Sequence, residues 1–310
     1  MRGGEHVVRV EYYENWGEAI ARVRWERASP PADPVIAAAG DIACDPSSDA
    51  FNGGWGTWDR CRQRWTSDLL VDSGLAAVLP LGDLQYDDSQ RWKYDWSFGP
   101  SWGRVKYLMR PAVGNHEYET PGASGYFDYF GDAAGPRDRG YYSFDLGNWH
   151  LIALNSNCWA VGGCWAGSPQ ERWLRADLAA HPTACTLAFA HHPRYSSGQH
   201  GDTGEIAPLF RALYDANADV FLSGHDHLYE RLAPSNADDR GDPARGIRQF
   251  VVGTGGKDHY PVGRVDSDSE LRNTDTFGVL RLTLRPWSYS WQFVPEAGGW
   301  FTDSGSTGCH

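Results

Sequence analysis

Gly82-Asp83-Leu84-Gln85-Tyr86 follows the apolar run of residues 76–79, a pattern that predicts a loop leaving the carboxyl end of a buried strand. The loop delivers one carboxylate, Asp83, and one phenol, Tyr86, three residues apart. Open sheets that mix strands and helices place their sites at the carboxyl ends of strands. We therefore expect this stretch to lie at the functional site.

Four further apolar runs end in the same way, usually just after a glycine. The segments that follow these runs are Gly40-Asp41 after residues 35–39, Gly114-Asn115-His116-Glu117 after residues 110–113, His191-His192-Pro193 after residues 185–190, and Gly224-His225-Asp226-His227 after residues 219–222. Because strand ends of one sheet share an edge, these side chains are expected to converge.

The converging groups are carboxylates, an amide, a phenol and imidazoles. Such ligands suit Fe, Zn or Mn, whereas a thiolate site would need cysteine. Seven candidates are too many for one tetrahedral ion but fit two ions that share a ligand, the usual arrangement for phosphoester hydrolysis. Asp83 is the best bridging candidate, since its motif lies in the middle of the set. Each residue alone is more often structural, so the prediction depends on the joint pattern.

At these positions the sequence resembles a known family. GDIA, GDLQY, GNHE, AHHP and GHDH occur in this order, beginning at residues 40, 82, 114, 190 and 224, and they resemble the five signatures of the calcineurin-like metallophosphoesterases. The tyrosine of GDLQY is similar to that of the purple acid phosphatase branch, in which the phenolate binds ferric iron. The resemblance covers roughly residues 35–295.

The resemblance implies two metal sites and two substrate-contacting histidines. Its residues are Asp41, Asp83, Tyr86 and His227 for Fe(III), Asp83, Asn115, His191 and His225 for Fe(II), Zn or Mn, and His116 and His200 for the phosphate or the leaving group. His191 aligns better than His192, because it directly ends the strand and stands two residues before the proline.

The implied activity is hydrolysis of a small phosphomonoester by hydroxide formed from metal-bound water. A phosphodiesterase or nucleotidase on the same site is one alternative. A surface carbohydrate-binding protein with a vestigial phosphatase domain is another, against which the complete ligand set argues. The implied fold is α/β, a four-layer αββα sandwich of two mixed sheets. Strands that alternate with helices, followed by late antiparallel strands, favour the same architecture.

Local patterns predict several elements of this fold. We expect a crossover helix over residues 59–71, a hairpin of strands 141–145 and 149–155, and strands over 248–252, 277–284 and 287–294. Ser168, with a proline at the next position and Glu171, predicts a capped helix, and a second helix is expected to begin near Thr203. Residues 253–256 predict a tight turn beside the metal site rather than a nucleotide loop, because no Lys-Ser/Thr follows.

The chain is predicted to have three parts. Residues 5–27 alternate like a β-hairpin and are similar to the last strands of a PA14 module, so residues 1–28 are assigned to the end of a truncated module, 29–34 to a linker and 35–310 to the catalytic domain. No apolar signal segment is visible in residues 1–30. We expect a secreted or extracytoplasmic protein whose signal peptide was lost with the upstream part.

The cysteines favour an oxidising compartment. Cys44 and Cys61, and likewise Cys158 and Cys164, are close pairs in polar loops and are predicted as disulfides; a zinc site is the competing interpretation, but neither pair has CxxC spacing. Cys185 lies in a predicted buried strand, where a free cysteine behaves as a small apolar side chain. The pairing of Cys185 and Cys309 is left open by the sequence.

Composition limits the other interactions. The net charge of −12 argues against binding of duplex nucleic acid, and no run of 18 apolar residues predicts a membrane span. Many of the fifteen tryptophans lie in glycine-rich loops, where anchoring of the loops is favoured over a substrate-stacking rim. His150 is interpreted as a structural histidine, since it follows none of the strand-end glycines. The oligomeric state is not indicated by the sequence.

Overall fold

A computed structural model describes residues 33–310 of the chain. The hairpin predicted over residues 5–27, and with it the predicted PA14-like part, lies outside the described residues. Within the described range the strands are, in chain order, β1 Val35–Ala39, β2 Ala77–Pro80, β3 Tyr142–Leu146, β4 Trp149–Ala153, β5 Cys185–Phe189, β6 Val220–Ser223, β7 Tyr229–Leu232, β8 Arg248–Val252, β9 Ser269–Asn273, β10 Gly278–Arg285, β11 Ser288–Pro295 and β12 Ser304–Gly308.

The helices of the described range are mostly short. They are α1 Gln63–Asp68, α2 Arg91–Lys93, α3 Ser124–Phe130, α4 Pro169–Ala180 and α5 Ala207–Asp215, with a π-helical turn at Tyr94–Phe98 and 3₁₀ turns at Asn52–Gly54, Trp102–Leu108, His116–Glu119, Pro121–Ala123, Gly131–Ala134, Cys158–Ala160 and Gly204–Ile206. Ser168 caps α4 by accepting a hydrogen bond from the Glu171 backbone N–H, as its capping-box sequence predicts.

The strands form two mixed sheets. The first has the order β12-β11-β10-β1-β2, in which only β1 and β2 are parallel. The second has the order β3-β4-β5-β6-β8-β7-β9, with a parallel centre of β4, β5, β6 and β8. Parallel neighbours bring their carboxyl ends to one edge. The predicted α/β architecture is confirmed.

Successive side chains of β5, all of them buried, belong to two different cores and show how the layers stack. Leu187 and Phe189 belong to the same core as Leu282 of the first sheet, whereas Ala188 packs with Leu213 of α5. A strand sends successive side chains to opposite faces, so one face of the second sheet meets the first sheet and the other meets the helices. Aromatic pairs join the two sheets, for example Trp149 edge-on to Tyr289 with ring centroids 5.7 Å apart.

Two predicted elements are shorter than expected. The crossover helix begins at Gln63 and ends at Asp68, instead of covering residues 59–71. The run over residues 110–113 is not a regular strand, and this segment forms only two isolated bridges, from Met109 to Val78 of β2 and from Ala112 to Leu81 just after β2. Pro111 lacks an N–H and therefore interrupts the ladder, while Ala112 N still donates to Pro80 O at 2.8 Å. The segment nevertheless runs beside β2 and carries Asn115 to the same edge.

All six cysteines form disulfides. Cys44–Cys61 and Cys158–Cys164 are paired as predicted, with Cα atoms 5.3 and 5.1 Å apart. Cys185, whose pairing the sequence left open, bonds to Cys309 across 124 residues of sequence. The pairing ties the chain's last residues to the start of β5. Local spacing cannot reveal it, since the two cysteines meet only after the sheets have stacked.

The interpretation of the loop tryptophans is largely wrong. Trp102 is fully buried and anchors its loop by donating from Nε1 to Thr66 Oγ1 at 3.0 Å. Trp58, Trp96 and Trp159, in contrast, are more than two-thirds exposed. Their indole rings therefore do not fix the loops against the sheet edges. In the described range no helix is long and apolar enough to cross a membrane.

Candidate metal centre

The candidate ligands lie at one edge of the sheets, in the loops that follow four strands and the segment beside β2. Asp41 follows β1, Asp83 and Tyr86 follow β2, Asn115 follows the segment bridged to β2, His191 follows β5, and His225 and His227 follow β6. Parallel pairing of β1 with β2 and of β5 with β6 brings these ends together. The convergence expected from the order of the motifs is found.

One group of candidates is closed off from solvent, and we call it the buried half: Asp41, Tyr86 and His227. The Tyr86 hydroxyl donates to Asp41 Oδ1 at 2.9 Å and lies 3.0 Å from His227 Nε2. His227 Nε2 is in turn 3.2 Å from Asp41 Oδ1. Each of the three side chains is at most 2 % exposed. Two oxygen atoms and one nitrogen atom, each able to bind a metal ion, therefore lie within 3.2 Å of one another.

The second group, which we call the open half, consists of Asn115, His191 and His225. His191 Nε2 lies 3.0 Å from Asn115 Oδ1 and 3.2 Å from His225 Nδ1. His191 is buried, whereas Asn115 and His225 are partly exposed. This half faces the surface, so a ligand from solution can reach it.

Asp83 lies between the two halves. Its Oδ2 atom accepts from the Tyr86 hydroxyl at 3.2 Å and lies 3.1 Å from His191 Nε2. Its Oδ1 atom accepts from the His116 backbone N–H at 2.9 Å, which fixes the carboxylate plane. A single oxygen within 3.2 Å of a member of each half is the geometry of a bridging ligand.

The backbone around the centre is strained and tightly packed. Asp41, Asp83 and His225 adopt positive φ angles of 60°, 49° and 71°, a region that side chains other than glycine rarely occupy. Such strain clusters at functional sites, where surrounding structure holds it. Gly114 is required by space, since a Cβ there would lie 2.2 Å from Asp83 Oδ1. Gly224 is required for the same reason, since a Cβ there would lie 2.5 Å from Asp41 Oδ2.

The electrostatics of the centre favour a bound cation. Burial lowers the pKa of His191, but the carboxylate of Asp83 outweighs burial and raises the pKa to about 9. Burial likewise lowers the pKa of His227, but the carboxylate of Asp41 outweighs burial and raises the pKa to about 9. Both imidazoles would therefore hold protons at neutral pH unless a cation replaced them. The donor set thus fits metal ions.

The environment of Tyr86 also favours a bound cation. Burial, followed by the charges of Asp41 and Asp83, raises the pKa of its hydroxyl well above the usual 10. A phenolate at this position is favourable only when a strongly charged cation stabilises it, because a coordinated ion inverts the local preference for protonation. The pair of carboxylates and the phenol therefore suit an ion of high charge.

Sequence reasoning missed the groups that orient these side chains. His227 Nδ1 contacts Asp258 Oδ1 at 2.5 Å, and His191 Nδ1 contacts Leu81 O at 2.9 Å, so Nε2 of each imidazole is directed into the centre. Glu117 is fully buried and accepts from the backbone N–H groups of Asp83 at 2.9 Å and Gly114 at 2.7 Å. Glu117 was visible within GNHE, whereas Asp258 has no local signal.

The two predicted substrate-contacting histidines flank the centre on different sides. His116 lies beside the buried half, with its ring 4.4 Å from that of Tyr86 and its Nε2 3.9 Å from Asp83 Oδ2. His200 lies beside the open half, with its ring 4.4 Å from that of His225. The buried Asp226 carboxylate accepts from the His200 backbone N–H at 2.8 Å and so holds this loop.

Two other histidines make ring contacts outside the proposed ligand set, although His192 lies beside that set. His192 is adjacent to His191, but its Nδ1 lies 2.7 Å from Ser156 Oγ. His150 is remote from the centre and places its two ring nitrogens 2.7 Å from Asp145 Oδ1 and 2.8 Å from Asp177 Oδ2. The structural interpretation of His150 agrees with this fully paired ring.

Comparison with known proteins gives the family. The Calcineurin-like phosphoesterase profile matches residues 34–229, which is more than half of the chain. The chain therefore belongs to the calcineurin-like phosphoesterase family. This match spans the four strands and the segment beside β2 that deliver the candidate ligands.

The individual relatives include purple acid phosphatases and another acid phosphatase. The chain is 30% identical over 268 residues to purple acid phosphatase 18 of Arabidopsis thaliana, covering 80% of this chain and 55% of that protein. It is 29% identical over 187 residues to acid phosphatase type 7 of Homo sapiens, covering 51% of this chain and 41% of that protein. The chain thus spans about half the length of these curated relatives.

A solved structure supports the fold. The purple acid phosphatase isolated from yellow lupin (Lupinus luteus) seeds superposes with a TM-score of 0.70 at 19% identity, covering 88% of this chain and 53% of that chain. At this identity the likeness establishes the arrangement of strands and helices and leaves the activity to be argued from the site.

Proposed function

We propose that the protein is a dimetal phosphomonoesterase of the purple acid phosphatase type. The observation that carries this proposal is the position of Asp83 Oδ2, within 3.2 Å of a member of each half of the centre. Two ions sharing one carboxylate form the clamp that holds the attacking and leaving oxygens of a phosphoester. The proposed substrate is a small phosphoester reaching the open half from solution.

The proposed ligands follow the two halves. Asp41, Asp83, Tyr86 and His227 would hold Fe(III), and Asp83, Asn115, His191 and His225 would hold Fe(II), Zn or Mn. The ion of higher charge is assigned to the buried half because that half combines a carboxylate with a phenol. When bound, the two ions would activate water as the nucleophile and neutralise charge on the phosphoryl oxygens.

His116 and His200 are proposed to act on the substrate. His116 Nδ1 donates to the backbone carbonyl of Asp87 at 2.5 Å, which leaves Nε2 available toward the centre. His200 is exposed on the opposite side, where it can stabilise a phosphoryl oxygen or protonate the leaving alkoxide. Hydrogen-bond donors placed before the reaction stabilise the developing charge without further rearrangement.

The proposal is tested by metal content and by a pair of substrates with one leaving group. Protein purified without chelator should contain two metal equivalents and should hydrolyse 4-nitrophenyl phosphate faster than bis(4-nitrophenyl) phosphate. Preference for the diester would move the function to a phosphodiesterase on the same site. Two bound metals without hydrolysis of either ester would refute the proposed activity, and glycan binding by that protein would support the vestigial alternative.

The role of His200 is tested by His200→Ala. Turnover should fall by roughly 10²-fold, in the range of general acid–base contributions, while both metals remain. His181→Ala removes a partly exposed imidazole, remote from the centre, and should leave turnover unchanged. Unchanged turnover in His200→Ala would refute its role.

The disulfides support a location outside the cytoplasm. All six cysteines are paired, and such bonds persist in oxidising compartments. We therefore propose a secreted or extracytoplasmic protein. Under denaturing conditions without reductant the native protein should show no titratable thiol.

A further inference from the structure

His192 lies against the open half without belonging to it. Its ring centroid is 4.3 Å from that of His225 and 4.9 Å from that of His191. One of its ring nitrogens is within 4.8 Å of the ligand-forming atoms of those two histidines. On distance alone, His192 could be a further metal ligand.

Ser156 decides which ring nitrogen of His192 carries the proton. Ser156 Oγ accepts from the His192 backbone N–H at 3.0 Å and lies 2.7 Å from His192 Nδ1. In the described part of the chain the serine hydroxyl has no other acceptor within hydrogen-bond distance, so it donates its proton to Nδ1. The neutral imidazole then carries its own proton on Nε2.

His192 Nε2 is consequently a free donor. Within residues 33–310 it has no hydrogen-bond partner, and it is not among the polar atoms sealed from solvent. A protonated nitrogen cannot bind a metal ion, but it can donate to an anionic oxygen. Hydrogen bonds to ionised acceptors are the stronger ones, and the open half is where the phosphate would lie.

We propose that His192 is a substrate-contacting residue whose Nε2–H donates to a phosphoryl oxygen, with Ser156 as the positioning residue that fixes the tautomer. The inference rests on the proposed function of the centre, because it assumes that phosphate binds at the open half. It adds a third imidazole to the two that flank the centre. The ligand class is a phosphate monoanion or dianion.

The test uses binding of inorganic phosphate to the metal-loaded protein, measured by calorimetry, with metal content determined on the same samples. A lost hydrogen bond to a charged group predicts that His192→Ala weakens phosphate binding by roughly 10-fold or more, with both metals retained. His192→Gln supplies an amide N–H at about the same reach and should recover most of the affinity. Ser156→Ala should weaken binding by a smaller factor, because the tautomer is no longer fixed.

Three results would overturn the inference. Loss of one metal in His192→Ala would make His192 a ligand, and unchanged phosphate affinity would make it a bystander. Absence of phosphate binding by the metal-loaded parent protein would remove the contact altogether. The readout needs no turnover, so a protein that binds phosphate through His192 but hydrolyses no ester would refute only the proposed activity. His181→Ala, which removes a remote and partly exposed imidazole, should behave as the parent protein.

Discussion

The buried half and the open half of the centre differ in access and in charge. Asp41, Tyr86 and His227 are closed off from solvent, whereas Asn115 and His225 are partly exposed. The buried half offers a carboxylate and a phenol, while the open half offers an amide and two imidazoles beside the shared Asp83. An ion in the buried half would therefore be held more permanently. The open half is built for exchange of ligands with solution.

The two halves are also supported differently. Asp258 orients His227 in the buried half through a carboxylate, and the Leu81 carbonyl orients His191 in the open half. The extra imidazoles of His192 and His200 surround only the open half. Beside the buried half, in contrast, lies the single imidazole of His116. The open half is therefore the side with more histidines beyond the proposed ligands.

The largest effect is expected from Asp83→Ala, which should weaken metal binding in both halves and so remove the difference between them. The shared oxygen contacts a member of each half, so its removal should lower metal content from two equivalents to below one and reduce turnover by at least about 10³-fold. Metal analysis and rates on the same sample check both. Asp138→Ala removes an exposed carboxylate and is the control. Full metal content in Asp83→Ala would refute the bridging role.

Tyr86→Phe is expected to separate the halves. Removing the hydroxyl takes a donor from the buried half only, so about one metal equivalent should remain, held by the open half. The visible absorption spectrum of the parent protein should show a purple tyrosinate-to-iron band that disappears in the variant.

The outcome of the spectrum also identifies the metal. A colourless parent protein that still hydrolyses a phosphomonoester would place Zn, Mn or another ion in the buried half and contradict the assignment of Fe(III). Loss of both ions in Tyr86→Phe would show instead that the halves do not bind independently.

Residues that lie at strand ends could be predicted from the sequence, whereas residues that support them could not. Asp41, Asp83 and His191 lie within about four residues of the end of an apolar run, so their position is set by elements that are visible locally. Asp258 reaches His227 from a loop after β8, and no local pattern specifies that contact. Contacts that orient a proposed ligand, such as that of Asp258 with His227, form only when complete loops pack together.

The distinction between local and long-range contacts also explains where the fold was not predicted from the sequence. Cys44–Cys61 closes a loop beside the first strand and is visible from spacing, whereas Cys185–Cys309 joins β5 to the chain's last residues. The loop tryptophans were expected to anchor their loops against the sheet edges, by analogy with aromatic packing. Residue type says little about burial on loops, because loops run over the surface.

A smaller effect, confined to one half, is expected from Asp258→Ala. Loss of the carboxylate that orients His227 should weaken metal binding in the buried half by about 10–100-fold and leave the open half unchanged. Asp258→Asn keeps an acceptor oxygen and should lose less. The open half has no matching variant, because its orienting group is a backbone carbonyl. Competition with a chelator measures the affinities, Asp132→Asn is the exposed control, and equal loss from both halves would contradict the comparison.

The smallest effect concerns His150, a buried histidine paired with carboxylates as His227 is, but remote from both halves. Burial lowers its pKa, yet the contacts with Asp177 and Asp145 outweigh burial and raise the pKa above its usual 6.5. A raised pKa in the folded state means that the stabilisation is complete below about pH 6.5 and is lost as pH rises through the folded value.

His150→Gln should therefore reduce the free energy of unfolding by about 1–3 kcal/mol at pH 5.5 and by less at pH 8.5, with metal content unchanged. Urea unfolding of the variant and the parent protein at both pH values measures the difference. An equal loss at the two pH values would show that the paired charge contributes nothing. Loss of metal in His150→Gln would mean that His150 is a metal ligand. His150 could then no longer be contrasted, as a histidine that stabilises the fold, with the histidines proposed to hold an ion.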